Sequence, residues 1–144
     1  MQILNRKARF NYEINEELEA GIILEGSEVK SIRMSRANIA DSYIAERSGE
    51  LFLVNAHINE YPGANKFNHQ VKRARKLLLH KKQINKLAGK ISKEGATIIP
   101  LKLYSNKKGY IKILIGVGKG KKLHDKRQSI KEKDYHRRIL RNQE

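Results

Sequence analysis

The chain has 144 residues, of which 39% are hydrophobic, so one domain with a core of moderate size and an appendage is expected. Lysine and arginine number 31 against 15 acidic residues, and the net charge of +16 indicates a polyanionic partner, with nucleic acid favoured over a membrane. The absence of cysteine excludes disulfides and thiolate metal sites, and no apolar stretch approaches the ~20 residues that span a bilayer, so a cytoplasmic location is expected.

The charge is distributed unevenly along the chain. Residues 13–60 hold ten acidic and four basic side chains, whereas residues 61–93 hold ten basic and no acidic ones. The segment 116–144 is again basic. Solubility alone does not require such a separation, so the pattern favours two basic binding regions, one central and one C-terminal.

The first half of the chain predicts a strand end, a short helix and a hairpin. The segment Gly21 to Gly26 reads as the end of a strand, after which Ser27 is predicted to cap a helix from Glu28 to Arg33. The segment Ala40 to Ile58 is typical of a hairpin that turns at Ser48-Gly49. In its second strand, one face is predicted to carry Phe52, Val54, Ala56 and Ile58.

The second half predicts one longer helix and a second hairpin. The spacing of Ile84, Leu87, Ala88 and Ile91 indicates an amphipathic helix that stops near Gly95. Strands are predicted at Thr97 to Tyr104 and Tyr110 to Val117, with Pro100 at an edge or a bulge.

Together these elements predict a mainly β fold: an OB-fold-type antiparallel β-barrel with a few short helices over residues 1–117. The segment Gly116 to Gly120 is predicted to be a mobile spacer. Residues 118–144 are predicted to form a second region, a disordered basic tail, because the five bulky apolar side chains after Gly120 would bury too little surface to offset the ordering entropy.

No pattern indicates a catalytic, metal or cofactor site. The five histidines lack metal-ligand spacing, Gly116 to Gly120 lacks the spacing of a phosphate-binding loop, and no serine lies in a Gly-x-Ser-x-Gly elbow. The acidic residues Glu13, Glu16, Glu17 and Glu19 are interpreted as a solvated face. We therefore expect neither an enzyme nor a bound cofactor.

Basic and aromatic residues point instead to RNA. The segment Asn5 to Arg9 is a short basic arm, and Lys72 to Lys76 places four cations in five residues before an apolar anchor. Tyr43, Tyr104 and Tyr110 are predicted on strands, with lysines sharing their faces. Cations beside aromatic rings favour phosphate contacts combined with stacking on unpaired bases.

Five sequence motifs occur in one order. They are Asn5-Arg6-Lys7-Ala8, Gly26 to Arg33, Ala37 to Tyr43, Arg73 to Leu79, and Gly118 to Arg127. From Asn5 to Arg141 the chain resembles the SsrA-binding (small protein B) family of bacterial trans-translation. It departs from the family at Gln70-Val71, where members commonly carry Asp-Pro.

The resemblance implies binding to the tRNA-like domain of transfer-messenger RNA, support of its aminoacylation, and delivery to stalled ribosomes so that nascent chains are tagged. It also implies a complex with elongation factor Tu, no membrane contact and a monomeric state. The RNA-binding positions expected from the resemblance and the neighbouring basic side chains are Asn5, Arg6, Lys7, Glu19, Lys30, Arg33, Arg36, Asn38, Tyr43, Arg73, Arg75, Lys76, Leu78 and Lys112.

For the tail, the resemblance implies entry into the empty mRNA channel and the decoding centre, where its distal part becomes helical. The tail residues that match the family and their basic neighbours are Gly120, Lys121, Lys122, His124, Asp125, Lys126 and Arg127, with His124 stacking near the decoding bases. Two alternatives remain open on the sequence: a general or ribosomal OB-fold RNA-binding protein, and a metal-dependent nuclease on a similar barrel.

Overall fold

The computed structural model describes residues 1–64 and 68–121. Within these ranges there are nine strands and three helices. The strands are β1 Gln2–Leu4, β2 Tyr12–Ile22, β3 Ala37–Asn38, β4 Tyr43–Arg47, β5 Glu50–Val54, β6 His57–Ile58, β7 Arg75–Leu78, β8 Thr97–Ser105 and β9 Ile111–Gly120. The helices are α1 Ala8–Asn11, α2 Gly26–Arg33 and α3 Lys81–Glu94.

Seven strands form one antiparallel sheet that closes into a barrel. The strand order is β1-β8-β4-β5-β7-β2-β9, and pairing of β8 with β9 joins the two sides of the sheet. Strands β1 and β4 pair with different parts of β8, at Lys102 to Tyr104 and at Ile98 respectively. The predicted mainly β, OB-fold-type barrel is confirmed, and β1 extends it beyond the closed ring.

Both predicted hairpins and the predicted long helix are present. Strands β4 and β5 turn at Ser48-Gly49, and β8 and β9 pair from Thr97 to Ser105. Helix α3 ends at Gly95, whose φ of +65° is the left-handed conformation that glycine adopts easily at a helix C-terminus. The register shift between Pro100 and Lys102 is the bulge that Pro100 predicted.

Two local expectations are wrong. Helix α2 begins at Gly26, and its N-cap is Glu25, which forms a reciprocal capping box with Glu28, whereas the Ser27 hydroxyl contacts His69. In the first hairpin the buried side chains change from odd-numbered to even-numbered positions at Asn55. Leu51 and Leu53 are buried on its N-terminal side, whereas Ala56 and Ile58 are buried on its C-terminal side. Asn55 has a φ of +64°, which breaks the regular alternation of the strand.

The acidic segment Tyr12–Ile22 is a long strand that the sequence pattern did not predict. It pairs with β9 from Tyr12 to Gly21, with a register shift between Ile14 and Glu16, and Tyr12 lies opposite Gly120. The predicted mobile spacer at Gly116 to Gly120 is therefore wrong. A Cβ atom on Gly118 would lie 2.0 Å from the carbonyl oxygen of Glu13, so this glycine permits close strand packing rather than flexibility.

Candidate nucleic-acid interface

Three of the predicted RNA-binding residues line one groove on the outside of the barrel. Gly21 of β2 pairs with Leu78 of β7 on one side and with Lys112 of β9 on the other. The groove, of about 430 Å³, also includes Glu19, and its remaining lining residues are Ala20, Leu79, His80 and Gln83. The sheet thus brings together an apolar, a cationic and an acidic side chain that lie far apart in the sequence.

Gly21 forms the floor of this groove. A Cβ atom added at Gly21 would lie 3.0 Å from the Leu78 Cβ, so a larger side chain would fill the space between Leu78 and Lys112. Leu78, the last residue of β7, is 52% exposed and presents an apolar side chain to the groove. The sequence pattern assigned Gly21 only to a strand end. Its position between Leu78 and Lys112 depends on the register of the neighbouring strands, which the sequence pattern does not show.

The Glu19 carboxylate has a fixed partner in the barrel. The hydroxyl of Tyr104 donates a hydrogen bond to Glu19. Burial and this neighbouring carboxylate raise the pKa of Tyr104 to about 12, so the phenol stays protonated and remains a donor near neutral pH. The Lys102 ammonium lies 4.9 Å from the centre of the Tyr104 ring. Tyr104 therefore orients Glu19 at the edge of the groove.

A second concavity brings together Asn5, Lys7 and Tyr43. This cavity, of about 340 Å³, lies where β1, α1 and the start of β4 meet. The Asn5 side-chain amide donates to the Pro100 carbonyl at 2.9 Å, while its Oδ1 is buried with no hydrogen-bond partner among the described residues. Tyr43 at the same cavity is 44% exposed. The cavity is thus lined by Asn5, which holds a buried, unsatisfied acceptor, and by an accessible aromatic ring.

The basic run Lys72 to Lys76, which enters β7 at Arg75, does not form one exposed surface. The Arg75 side chain is fully buried, with Nε 2.5 Å from Glu28 Oε2 and Nη1 2.8 Å from the Ala56 carbonyl oxygen. The expectation that Arg75 binds RNA is corrected, because its guanidinium has no access to a phosphate. Arg73 pairs with Glu28 as well, and Lys76 lies 3.7 Å from Glu50.

The separation of charge along the sequence is partly lost in the folded barrel. Glu16 of β2 accepts hydrogen bonds from Lys86 at 3.3 Å and Lys90 at 2.5 Å, both on α3. These bonds hold the pKa of Glu16 below its usual value, although burial opposes the shift. Part of the basic face of α3 is therefore neutralised by the acidic strand.

The basic residues of α2 and its neighbours remain at the surface. Lys30 lies 5.2 Å from the Tyr61 ring centre, and the Arg33 guanidinium donates to the Gly109 carbonyl at 3.4 Å. Arg6 and Arg36 are exposed. Asn38 lines a separate surface cleft, whose other lining residues are Asp41, Asn55, His57 and Lys72.

Only the start of the predicted tail falls within the described residues. Gly120 is the last residue of β9, and the backbone amide of Lys121 donates to the Asn11 carbonyl at 2.9 Å. The other tail candidates lie outside the described residues: Lys122, His124, Asp125, Lys126 and Arg127.

Residues 1–64 and 68–121 contain no cluster of three or more His, Asp or Glu side chains arranged to hold a metal ion. No helix in this part of the chain is long and apolar enough to cross a membrane.

Comparison with known proteins identifies the family. The family model described as SmpB protein matches residues 2–144. An SsrA-binding protein of Bradyrhizobium sp. (strain BTAi1 / ATCC BAA-1182) is 60% identical over 95% of this chain and 89% of its own length. An SsrA-binding protein of Rhizobium meliloti (strain 1021) is 53% identical over 92% and 84% respectively.

A solved structure agrees with the sequence relatives. A chain from the structure described as "tmRNA-SmpB: a journey to the center of the bacterial ribosome" superposes with a TM-score of 0.72. It is 42% identical, and the match covers 90% of this chain and 94% of that one. The family match over nearly the whole sequence and the shared fold lead to one conclusion: the chain belongs to the SmpB protein family.

Proposed function

We propose that this protein binds the tRNA-like domain of transfer-messenger RNA and delivers it to stalled ribosomes for trans-translation. The observation that carries the proposal is the groove in which Glu19, Leu78 and Lys112 meet across Gly21. Membership of the SmpB family and similarity to SsrA-binding proteins support the choice of RNA.

The groove combines three kinds of RNA contact. Lys112 attracts a phosphate, and Glu19 accepts hydrogen bonds from a base amino group or a ribose 2′-hydroxyl. The exposed Leu78 packs against the face of a sugar or an unstacked base. Because Gly21 has no side chain, the nucleotide approaches the backbone of the sheet closely.

The cavity at Asn5 supplies a second contact. The buried Oδ1 of Asn5 lacks a donor in the described part of the barrel, and an unsatisfied buried acceptor costs ~1–3 kcal/mol. An RNA hydroxyl or amino group that displaces the atoms covering this oxygen removes that penalty, while the exposed Tyr43 at the same cavity stacks on a neighbouring base. Binding at two concavities favours a folded RNA over a single strand.

The tail acts in a second step, on the ribosome. The segment from Gly120 onward is rich in lysine and arginine, and it enters the empty mRNA channel and decoding centre. The residues that contact ribosomal RNA there are Gly120, Lys121, Lys122, His124, Asp125, Lys126 and Arg127. The protein acts as a monomer in the cytoplasm, in a delivery complex with elongation factor Tu, and has no enzymatic activity of its own.

A reconstituted tagging assay on ribosomes stalled at the end of a truncated mRNA tests the proposal. The full chain should support tagging of the nascent chain, and a variant truncated after Gly120 should bind transfer-messenger RNA normally but fail to support tagging. Tagging at full efficiency by the truncated variant would show that the tail is not required. Failure of the full chain to bind transfer-messenger RNA would overturn the proposed function as a whole.

A further inference from the structure

The turn between β8 and β9 presents an aromatic ring to solvent. Tyr110 is 66% exposed, the highest value among the exposed large hydrophobic side chains in the described residues. The two preceding lysines, Lys107 and Lys108, are also exposed. An exposed ring with cations beside it is the combination that binds unpaired nucleotides by stacking and phosphate attraction.

The turn holds this ring in a defined position. The Asn106 side-chain oxygen accepts hydrogen bonds from the backbone amides of Lys108 and Tyr110, each at 3.0 Å. The Asn106 backbone amide donates to the Tyr110 carbonyl at 2.9 Å, and the Asn106 carbonyl accepts from the Gly109 amide at 3.0 Å. Gly109 has a φ of +85°, a conformation that side-chain-bearing residues rarely adopt. The backbone of the turn is therefore ordered before any partner binds.

Helix α2 adds a third cation to this turn. The Arg33 guanidinium donates to the Gly109 carbonyl at 3.4 Å, which places its charge next to Tyr110. The exposed ring therefore lies in a turn that carries Lys107 and Lys108 and that is contacted by Arg33 at the adjacent Gly109. We call Tyr110 with these three cations the turn platform.

The turn platform is continuous with the groove already described. Tyr110 immediately precedes β9 and lies two residues before Lys112, and it is exposed whereas Ile111 and Ile113 are buried. Two residues along a strand correspond to about 7 Å, roughly the distance between neighbouring nucleotides. In contrast, Tyr104 on the adjacent strand already contacts Glu19 through its hydroxyl and Lys102 through its ring.

We propose that Tyr110 stacks on an unpaired base of the RNA bound in the Glu19–Leu78–Lys112 groove, with Arg33, Lys107 and Lys108 attracting the flanking phosphates. This inference rests on the proposed function and extends it to Tyr110, one of the three tyrosines that the sequence pattern placed beside lysines but not one of the RNA-binding positions expected from the family resemblance. Because the turn is ordered in advance, stacking at Tyr110 requires little additional loss of backbone entropy.

The absence of tryptophan from the chain gives a direct optical test. Tyr110→Trp introduces a single tryptophan at the turn platform, and Ser92→Trp introduces one at an exposed position of α3, about 17 Å along the helix axis from its start. Each full-length variant is titrated with a transcript of the tRNA-like domain of transfer-messenger RNA. Fluorescence of Tyr110→Trp should be quenched as the RNA saturates the protein, whereas that of Ser92→Trp should change little.

Affinity provides an independent readout. Tyr110→Ala should weaken binding of the same labelled transcript by about 5- to 150-fold, the range that corresponds to the loss of one stacked base. Tyr110→Phe keeps the ring and should bind within about twofold of the wild type. The salt dependence of binding should be unchanged in Tyr110→Ala and shallower in the double variant Lys107→Gln/Lys108→Gln.

The outcomes separate this inference from the proposed function. If the transcript binds Tyr110→Trp with wild-type affinity but its fluorescence does not change, the stacking proposal is wrong and the groove remains the binding site. If Tyr110→Ala binds as the wild type does, the proposal is likewise overturned. If the wild-type protein does not bind the transcript at all, the proposed function fails and this inference fails with it.

Discussion

Glu28 and Arg75 form a fully buried ion pair between α2 and β7, with Arg75 Nε 2.5 Å from Glu28 Oε2. The Arg75 guanidinium also donates to the carbonyl oxygens of Ala56 at 2.8 Å and Val71 at 2.9 Å. One side chain therefore ties together a helix, a strand and the loop before β7. Through this link, α2 holds Lys30 and Arg33 in place on the barrel.

Substitution of Glu28 should destabilise the protein strongly. In Glu28→Gln the Arg75 charge stays buried without its carboxylate, and the loss of one partner of such a pair costs ~3–5 kcal/mol of unfolding free energy. Urea denaturation followed by circular dichroism measures this change. The control is Lys76→Gln, which removes the partly exposed pair with Glu50 and should cost ~1 kcal/mol or less. Equal losses in the two variants would contradict a structural role for the buried pair.

The same carboxyl group should make stability depend on pH. Burial raises the pKa of Glu28, but hydrogen bonds from Arg73, the Glu25 amide and Arg75 outweigh burial and hold the pKa below the usual 4.5. The contribution of Glu28 to stability is therefore fully present above about pH 4.5 and is lost as the pH falls through the lower folded-state pKa. The free energy of unfolding is measured between pH 3 and 7 at about one-unit intervals of pH. It should fall more steeply in acid for the wild type than for Glu28→Gln. Parallel curves would show that Glu28 does not contribute.

Substitution by alanine at two glycines of β9 should change stability by very different amounts. In Gly118→Ala the new Cβ would lie 2.0 Å from the Glu13 carbonyl oxygen, so β2 and β9 must separate, and we expect a loss of ~2 kcal/mol or more. Gly120→Ala, two residues further along, meets nothing within 4 Å and should change stability by less than ~0.5 kcal/mol. Thermal unfolding distinguishes the pair, and similar melting temperatures for both would refute close packing at Gly118.

Filling the groove should reduce RNA binding without unfolding the barrel. Gly21→Val places side-chain atoms between Leu78 and Lys112, and we expect at least a tenfold loss of affinity for transfer-messenger RNA, with a stability change within ~1–2 kcal/mol. Anisotropy of labelled RNA measures the affinity. The matched control Gly89→Ala lies on α3 with nothing within 4 Å of the new Cβ, and it should bind as the wild type does. Normal binding by Gly21→Val would place the RNA elsewhere.

The sequence predicted the elements with clear hydrophobic periodicity. The pattern of Ile84, Leu87, Ala88 and Ile91 identified α3, and the alternation from Ile111 onward identified β9. Strand β2 was missed because its exposed face carries several glutamates and its inner positions are only partly buried before Ala20. Glu16 shares the partly buried face with Leu18, and a register shift lies between Ile14 and Glu16, so a charge and a bulge interrupt the apolar alternation that marks a strand.

The errors at individual residues come from contacts over long sequence distances. The burial of Arg75 depends on Glu28, which lies 47 residues away, so a run of cations gave no sign of it. The tight packing of Gly118 and the position of Gly21 both follow from pairing with distant strands. Family resemblance supplied Glu19, Leu78 and Lys112 as candidates, and the register of the sheet explains why these three lie together.

Specific binding of transfer-messenger RNA can be measured by competition. Labelled transfer-messenger RNA bound to the full-length protein is challenged with unlabelled bulk tRNA at a salt concentration that weakens general phosphate contacts. Transfer-messenger RNA should stay bound against a large molar excess of tRNA and should be displaced by its own unlabelled form. Displacement by tRNA at equal concentration would overturn specific binding and favour a general RNA-binding protein.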